Sequence, residues 1–100
     1  MNRKPNIEGM VLVMKHVYPA LFTECKEGGY AIWFPDLPGT NTQGKDLYDA
    51  LCMAELSLTE WLEYLADKNM VIPAASRIEE ICPEAGQFVS LIRTRDTKAS

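Results

Sequence analysis

Residues 46–69 read DLYDALCMAELSLTEWLEYLADKN, and their spacing decides how the rest of the chain must be arranged. Leu47, Ala50, Leu51, Ala54, Leu58, Trp61, Leu62 and Leu65 recur at intervals of three and four, which places them on one stripe of a helix. Asp49, Glu55, Glu60, Glu63 and Asp67 fall mostly off that stripe. The segment is an amphipathic helix of about six turns. Asp46 is a good N-cap, since its carboxylate can accept from backbone N–H groups of the first turn, and Asp49 adds negative charge beside the positive end of the helix dipole. Lys68 and Asn69 make a natural end. A helix with one apolar stripe needs an apolar surface to lie on, and the flanking segments have the composition of a sheet.

On the N-terminal side, residues 1–9 are polar and without period, and are expected to form a loose leader ahead of a domain spanning 10–93. From Met10 through Cys25 the chain is rich in Val, Leu, Tyr and Phe, with Pro19 inside it, which predicts an extended strand at or near a sheet edge, or two strands broken near His16 to Pro19. Glu27, Gly28 and Gly29 supply a turn, and Tyr30–Phe34 follows as a short aromatic strand stopped by Pro35. The short glycine link predicts an antiparallel hairpin, Tyr18–Cys25 with Tyr30–Phe34. Pro35, Asp36, Leu37, Pro38 and Gly39 form a rigid turn, and Thr40–Gln43 returns as a third short strand before Gly44.

Beyond the helix, the stretch from Val71 to Pro83 reads as a connection with one helical turn near Ser76–Ile81. Gln87–Arg93 alternates again and is the last strand, expected to pair parallel to an earlier one through a crossover. Residues 94–100 are polar and are expected to be a flexible tail. The order β-β-β-α-β gives an α+β domain: a three- to four-stranded, mainly antiparallel sheet with one long helix on one face. The other face stays open to solvent or to a second copy.

A formal charge of -4 and an isoelectric point near 4.9 argue against nucleic-acid binding by phosphate neutralisation, which needs a dense basic patch. Only Arg93, Arg95 and Lys98 approach a cluster. An acidic domain suits a basic protein partner. Cys25, Cys52 and Cys82 are odd in number, contain no CxxC pair and have one histidine to help them, so neither a zinc site nor a disulfide framework is indicated. The longest apolar run, Met10–Met14, is too short to cross a bilayer, and no signal-peptide core follows Arg3 and Lys4. A reduced, cytoplasmic protein without cofactor is expected.

Catalytic patterns are thin. His16 is the one histidine, with no motif around it to build a nucleophile and base. A metal-dependent nuclease of the ribonuclease H type needs a carboxylate inside its first strand, and Met10–Phe22 has none. Asp36 is explained as a turn former and Asp46 as a cap. The glycines stand in no phosphate-loop arrangement. Trp33 and Tyr30 could stack bases, as in sheet-based RNA readers, or fill the core and a dimer contact.

Taken in order, Tyr18-Pro19-Ala20, Gly29-Tyr30, Phe34-Pro35-Asp36-Leu37-Pro38-Gly39, Thr42-Gln43-Gly44 and Ile72-Pro73 resemble the HicB antitoxin family over about Tyr18 to Ile92. The pattern there is a YPA strand, a GY strand ending in FPDLPG, a T-x-G turn, a helix with an acidic, alanine-rich start and an IP-x-x-S segment. Thr40 stands where the family often has Cys. The resemblance implies a truncated ribonuclease H-like fold without nuclease activity. It implies as partner a HicA-type toxin, a small basic RNA-cleaving protein, bound by a homo-oligomer, dimer or tetramer. Many members carry a C-terminal DNA-binding domain. Nothing after Ile92 is long enough for one, so DNA binding is not expected. The partner-binding residues expected are Trp33, Pro35, Asp36, Leu37, Pro38, Gly39, Thr42, Gln43 and Gly44, because loops on a rigid scaffold commonly carry binding. Two other readings stand beside this one: a stand-alone RNA-binding module using the open sheet face and Arg93, Arg95 and Lys98, and a residual metal-dependent nuclease.

Overall fold

The first apolar run forms β1 (Val17–Glu24), and the glycine turn after it sends the chain back as β2 (Tyr30–Trp33). These elements belong to a computed structural model that describes residues 16–95. The expected leader 1–9, residues 10–15 of the first apolar run, and 96–100 of the tail lie outside the described residues. The turn is closed by the Gly28 N–H donating to the Cys25 carbonyl at 2.9 Å and the Cys25 N–H to the Gly29 carbonyl at 3.0 Å. Gly29 sits at φ +82°, and a Cβ there would stand 2.5 Å from the Gly44 carbonyl oxygen, so no other residue fits.

The chain continues through β3 (Thr42–Gly44), α1 (Leu47–Asp67), one turn of 3-10 helix at Ile78–Glu80 and β4 (Gln87–Arg93). Asp46 caps α1 as expected: its carboxylate accepts from the Asp49 N–H at 2.8 Å, and Asp49 returns the contact by accepting from the Lys45 N–H at 2.9 Å. The helix ends in a Schellman arrangement. Asn69 at φ +57° turns the chain, its N–H reaches the Ala66 carbonyl at 3.1 Å and the Met70 N–H reaches Leu65 at 2.8 Å.

Two topological expectations are corrected. The sheet order is β3-β2-β1-β4, so β1 is central, not an edge, although it carries Pro19. The register explains why a proline fits. Leu21 pairs Trp33 at the end of the β1–β2 ladder, so the next pair would set Pro19 opposite Pro35. The pairing stops there, and Pro19's missing N–H points to the side β2 has already left. Second, β4 pairs β1 antiparallel, from Val17 opposite Arg93 to Thr23 opposite Gln87, and not parallel to any strand. The helix carries the chain to the Tyr18 end of the sheet. The connection after it then runs back, past Pro73 beside Tyr18 and on to Gly86 beside Glu24. A connection long enough to retrace the sheet removes the condition under which a crossover forces parallel pairing.

Alternation on β1 then divides the domain. Tyr18, Ala20 and Phe22, with Ile32 on β2 and Ile92 on β4, meet Ala50, Ala54, Leu58, Leu62 and Leu65 of α1 in one buried cluster. Leu47, expected on the buried stripe, is 45% exposed, because it opens the helix before the axis has settled over the sheet. Gly44 allows the approach of α1 to β3: a Cβ there would lie 2.4 Å from the backbone of Ala50. Among the described residues no helix is long and apolar enough to cross a membrane.

Candidate functional site

The segment after β2 is built by two successive turns. The Leu37 N–H donates to the Phe34 carbonyl at 3.0 Å, the Thr40 N–H to the Leu37 carbonyl at 3.2 Å, and the Thr40 hydroxyl to that same carbonyl at 2.6 Å. Phe34 and Leu37 are fully buried and anchor the loop in the core, which leaves Pro35, Pro38 and Gly39 to form its surface. Thr40 is a buried residue that closes the second turn.

Asp36 does more than start a turn. Its carboxylate accepts from the Ser76 N–H at 2.7 Å and the Ser76 hydroxyl at 2.6 Å, tying the loop to a segment 40 residues away. Beside this tie, the Tyr18 hydroxyl donates to the Pro73 carbonyl. Burial pushes the Tyr18 phenol above its ordinary range, and the Asp36 charge adds to the shift. Loop, return segment and β1 are thereby held as one unit. A loop fixed at both ends loses little entropy on binding.

Of the expected partner-binding residues, the sheet register puts Trp33 and Gln43 on the open face; Thr42 and Gly44 belong to the helix side. Leu37 lies wholly in the core and Gly44 against Ala50, so both set the scaffold on which the exposed residues stand. Trp33 is 44% exposed and pairs laterally with Leu21, which is nearly buried and pairs in turn with Val89; on the same side of the sheet Val17 and Leu91 are exposed, while Pro19 between them is fully buried. On the other side of the loop, Gly39 lies against Trp61, whose ring stacks on Tyr64 at 5.4 Å between centroids. The apolar residues of the open face on β1 and β4 were not singled out from the sequence. Their alternation is visible there, but which of them lie beside Trp33 follows only from the register.

The other readings meet obstacles. Tyr30 and Trp33 point to opposite sides of β2, so they do not form one stacking platform. Arg95 is engaged with α1: its N–H donates to the Thr59 hydroxyl at 2.7 Å, and its guanidinium donates to the Cys52 carbonyl at 3.1 Å and lies 3.8 Å from Glu55. Lys98 lies outside the described residues. His16 stacks near Tyr18 at 6.1 Å, and burial holds its imidazole below the ordinary range. Cys25, which lines an open cleft of about 470 Å³ with Tyr30, Gly44, Lys45 and Asp49, is at the far end of β1, about 25–30 Å from His16 by strand rise. No group of three or more His, Cys, Asp or Glu that could hold a metal occurs among the described residues.

Comparison with known proteins agrees with this architecture. The family model described as HicB_like antitoxin of bacterial toxin-antitoxin system matches residues 18–94. Antitoxin HicB of Escherichia coli (strain K12) is 34% identical over 59 residues, covering 59% of this chain and 43% of that protein. Antitoxin HicB 1 of Photorhabdus laumondii is 39% identical over 56 residues, covering 56% of this chain and 36% of that protein. The match therefore spans less than half the length of these curated relatives. Among solved structures, a chain of the toxin-antitoxin complex from Streptococcus pneumoniae superimposes with a TM-score of 0.76 at 21% identity, over 86% of this chain and 73% of that chain. The N-terminal domain of Burkholderia pseudomallei antitoxin HicB does so with a TM-score of 0.70 at 20% identity, over 80% of this chain and 99% of that chain. These likenesses establish a shared fold. Because the family match runs through the YPA strand, the FPDLPG loop, the helix and the last strand together, the chain belongs to the HicB-like antitoxin family.

Proposed function

We propose that this chain is an antitoxin domain that binds and neutralises a HicA-type RNA-cleaving toxin in the cytoplasm. It does so as a homo-oligomer and by occlusion, with no chemistry of its own. The observation that carries this reading is the pairing of a rigidly tied loop, Pro35, Pro38 and Gly39 at its surface, with the half-exposed Trp33 beside it. A preorganised loop beside an exposed aromatic is the composition of a binding hot spot. The net charge of -4 suits a basic partner and speeds encounter with it. Cys25, Cys52 and Cys82 are all free thiols, in keeping with a reducing compartment.

The test is capture from the native host with the tagged chain, followed by light scattering on the complex and an RNA-cleavage assay on the recovered protein. A small basic ribonuclease at fixed stoichiometry, silenced by the wild-type chain, is the expected result. Trp33→Ala should then weaken the complex by roughly thirtyfold or more, the scale of a hot-spot residue worth about 2 kcal/mol. Trp33 is a cleaner probe than Asp36, whose substitution also releases Ser76. Unchanged affinity in Trp33→Ala would move the interface elsewhere, and recovery of RNA alone would favour the RNA-binding reading.

A further inference from the structure

On the flank of α1 away from Arg95, an aromatic step faces solvent. Trp61 packs on the core with its ring edge against Gly39, and the ring of Tyr64, 47% exposed, stacks on it at 5.4 Å between centroids. One turn further along, the Lys68 ammonium stands 5.9 Å from the centroid of the Tyr64 ring, within reach of a cation–π contact. Pro38 and Gly39 are exposed beside Trp61, so the loop and this flank of the helix form one continuous surface. Charge around the step has one sign: α1 contains Asp49, Glu55, Glu60, Glu63 and Asp67 and no Lys or Arg. Glu55 is turned to Arg95 on the other flank, and Asp49 holds the Lys45 N–H at the first turn. Glu60 and Asp67 stand at i–4 and i+3 from Tyr64, the spacings that set side chains on one helix face. Both are exposed, and neither forms an ion pair among the described residues.

We propose that this step, Trp61 and Tyr64 flanked by Glu60 and Asp67, is a second docking surface for the partner. It receives an arginine- or lysine-bearing segment, with one cation laid on the Tyr64 ring in the place Lys68 now takes. The inference rests on the antitoxin reading and deepens it: the partner straddles the loop, with Trp33 on one flank and the step on the other.

Charge selects the occupant. A second copy docking here would set Glu60 and Asp67 against carboxylates of the same kind, and a nucleic acid or an anionic membrane would bring phosphates to them, so each of these is repelled. A basic segment gains the ring face and both carboxylates at once. The chain supplies its own stand-in, since the cation that Tyr64 draws from its own sequence is of the kind the partner would bring. The two flanks of the loop should also leave different kinetic signatures. Exposed carboxylates act at long range and speed encounter, whereas the apolar contact at Trp33 acts after docking, on dissociation.

The test is association and dissociation kinetics of the captured partner on the full chain at low and high salt, with Tyr64→Ser, Lys68→Gln and the double reversal Glu60→Lys with Asp67→Lys. All of these positions are exposed, so the thermal transition should be retained in each variant. Tyr64→Ser should weaken the complex about tenfold, and Lys68→Gln, which removes the competing cation, should tighten it about threefold. The charge reversal should slow association about tenfold or more at low salt, and that loss should shrink as salt rises. A complex that Tyr64→Ser and the charge reversal leave unchanged overturns the proposal while the antitoxin reading and Trp33 stand. So does a Lys68→Gln variant that fails to tighten the complex. If no protein partner is captured, the antitoxin reading fails by itself and a short arginine-rich peptide decides here, titrated against the same peptide with citrulline for arginine. The chain has two tryptophans, so the Trp61 indole N–H is followed by NMR once Trp33→Phe has assigned it. A Trp61 shift with the arginine peptide alone, lost in Tyr64→Ser, supports the surface; equal shifts with both peptides, or none, overturn it.

Discussion

The two faces of the sheet carry side chains of the same chemical class and differ in what covers them. Toward α1, Tyr18, Ala20, Phe22, Ile32 and Ile92 are sealed beneath Ala50, Ala54, Leu58, Leu62 and Leu65. On the other side Leu21 is nearly buried by its strand neighbours, but Val17 and Trp33 are each 44% exposed and Leu91 is 52% exposed. An antiparallel sheet with one face in water normally alternates apolar with polar. Here β1, reading VYPALFTE, is apolar at both parities through Phe22. The helix-side face exists to make the fold, whereas the opposite face exposes Trp33, Val17 and Leu91 around the buried Pro19 and Leu21, and exposed apolar side chains of this size are candidates for an interaction surface. Substitutions that keep the chemistry and change the face should separate the two roles.

The largest effect is expected on the covered face. Phe22 is fully buried and stacks on Phe88 at 4.8 Å between centroids. Phe22→Ala should cost about 3–5 kcal/mol from lost burial and the cavity left behind. Against a total stability of about 5–15 kcal/mol for a domain, this should move the denaturation midpoint far down or unfold the chain. A small change would mean the core beneath α1 is looser than its packing indicates, and the contrast between the faces would fail.

How far each face could be read in advance follows from the range of the interactions that make it. The stripe Ala50, Ala54, Leu58, Leu62 and the cap at Asp46 are local periodicities and local bonds, and all were legible. So were the hairpin and the span of β4, whose turn residues and alternation are short-range. The direction of β4 was not, because it depends on how residues 68–86 retrace the sheet. Pro19 misled for a related reason: its tolerance in a central strand comes from lying beyond the end of the β1–β2 ladder at Leu21, a fact of register. The site divides in the same way. The Pro35–Gly39 loop announces itself by composition, whereas Val17 and Leu91 become neighbours of the site only once three strands are set side by side.

Next in size is the tie between the loop and the return segment, which lies at the end of the sheet where the two faces meet. Asp36→Ala removes two hydrogen bonds to a charged acceptor and strands the Ser76 N–H, and about 2 kcal/mol of stability should go with it. Ser76→Ala removes one of the two and should cost about 1 kcal/mol. Urea denaturation of the pair measures both. Equal costs would mean that the Asp36 bond to the Ser76 backbone contributes nothing.

Tyr18→Phe should cost about 1 kcal/mol at neutral pH through the lost bond to the Pro73 carbonyl. Its sharper signature is in alkali. The folded phenol titrates above its ordinary value of about 10, so it contributes stability below that pH that is lost as pH rises toward the raised value. Thermal melts from pH 8 to 11 should show the wild type falling more steeply above about pH 10 than Tyr18→Phe. Parallel curves would remove Tyr18 from the account of alkaline unfolding.

The smallest effect on stability is expected where the effect on binding is greatest. Trp33→Ser removes the largest side chain of the open face, which is 44% exposed and is covered there by no element among the described residues. The change in folding free energy should therefore stay within about 0.5–1 kcal/mol, as for surface substitutions elsewhere. Leu21 is the neighbour that could raise the cost, since Trp33 stands beside it across the β1–β2 ladder and helps bury it. A loss close to that of Phe22→Ala would show that Trp33 shields the sheet from water as α1 does on the other side. In that case the patch is a second core, and a drop in partner affinity in this variant would report misfolding and not a lost contact. A near-neutral melt makes the same drop in affinity a measurement of the interface.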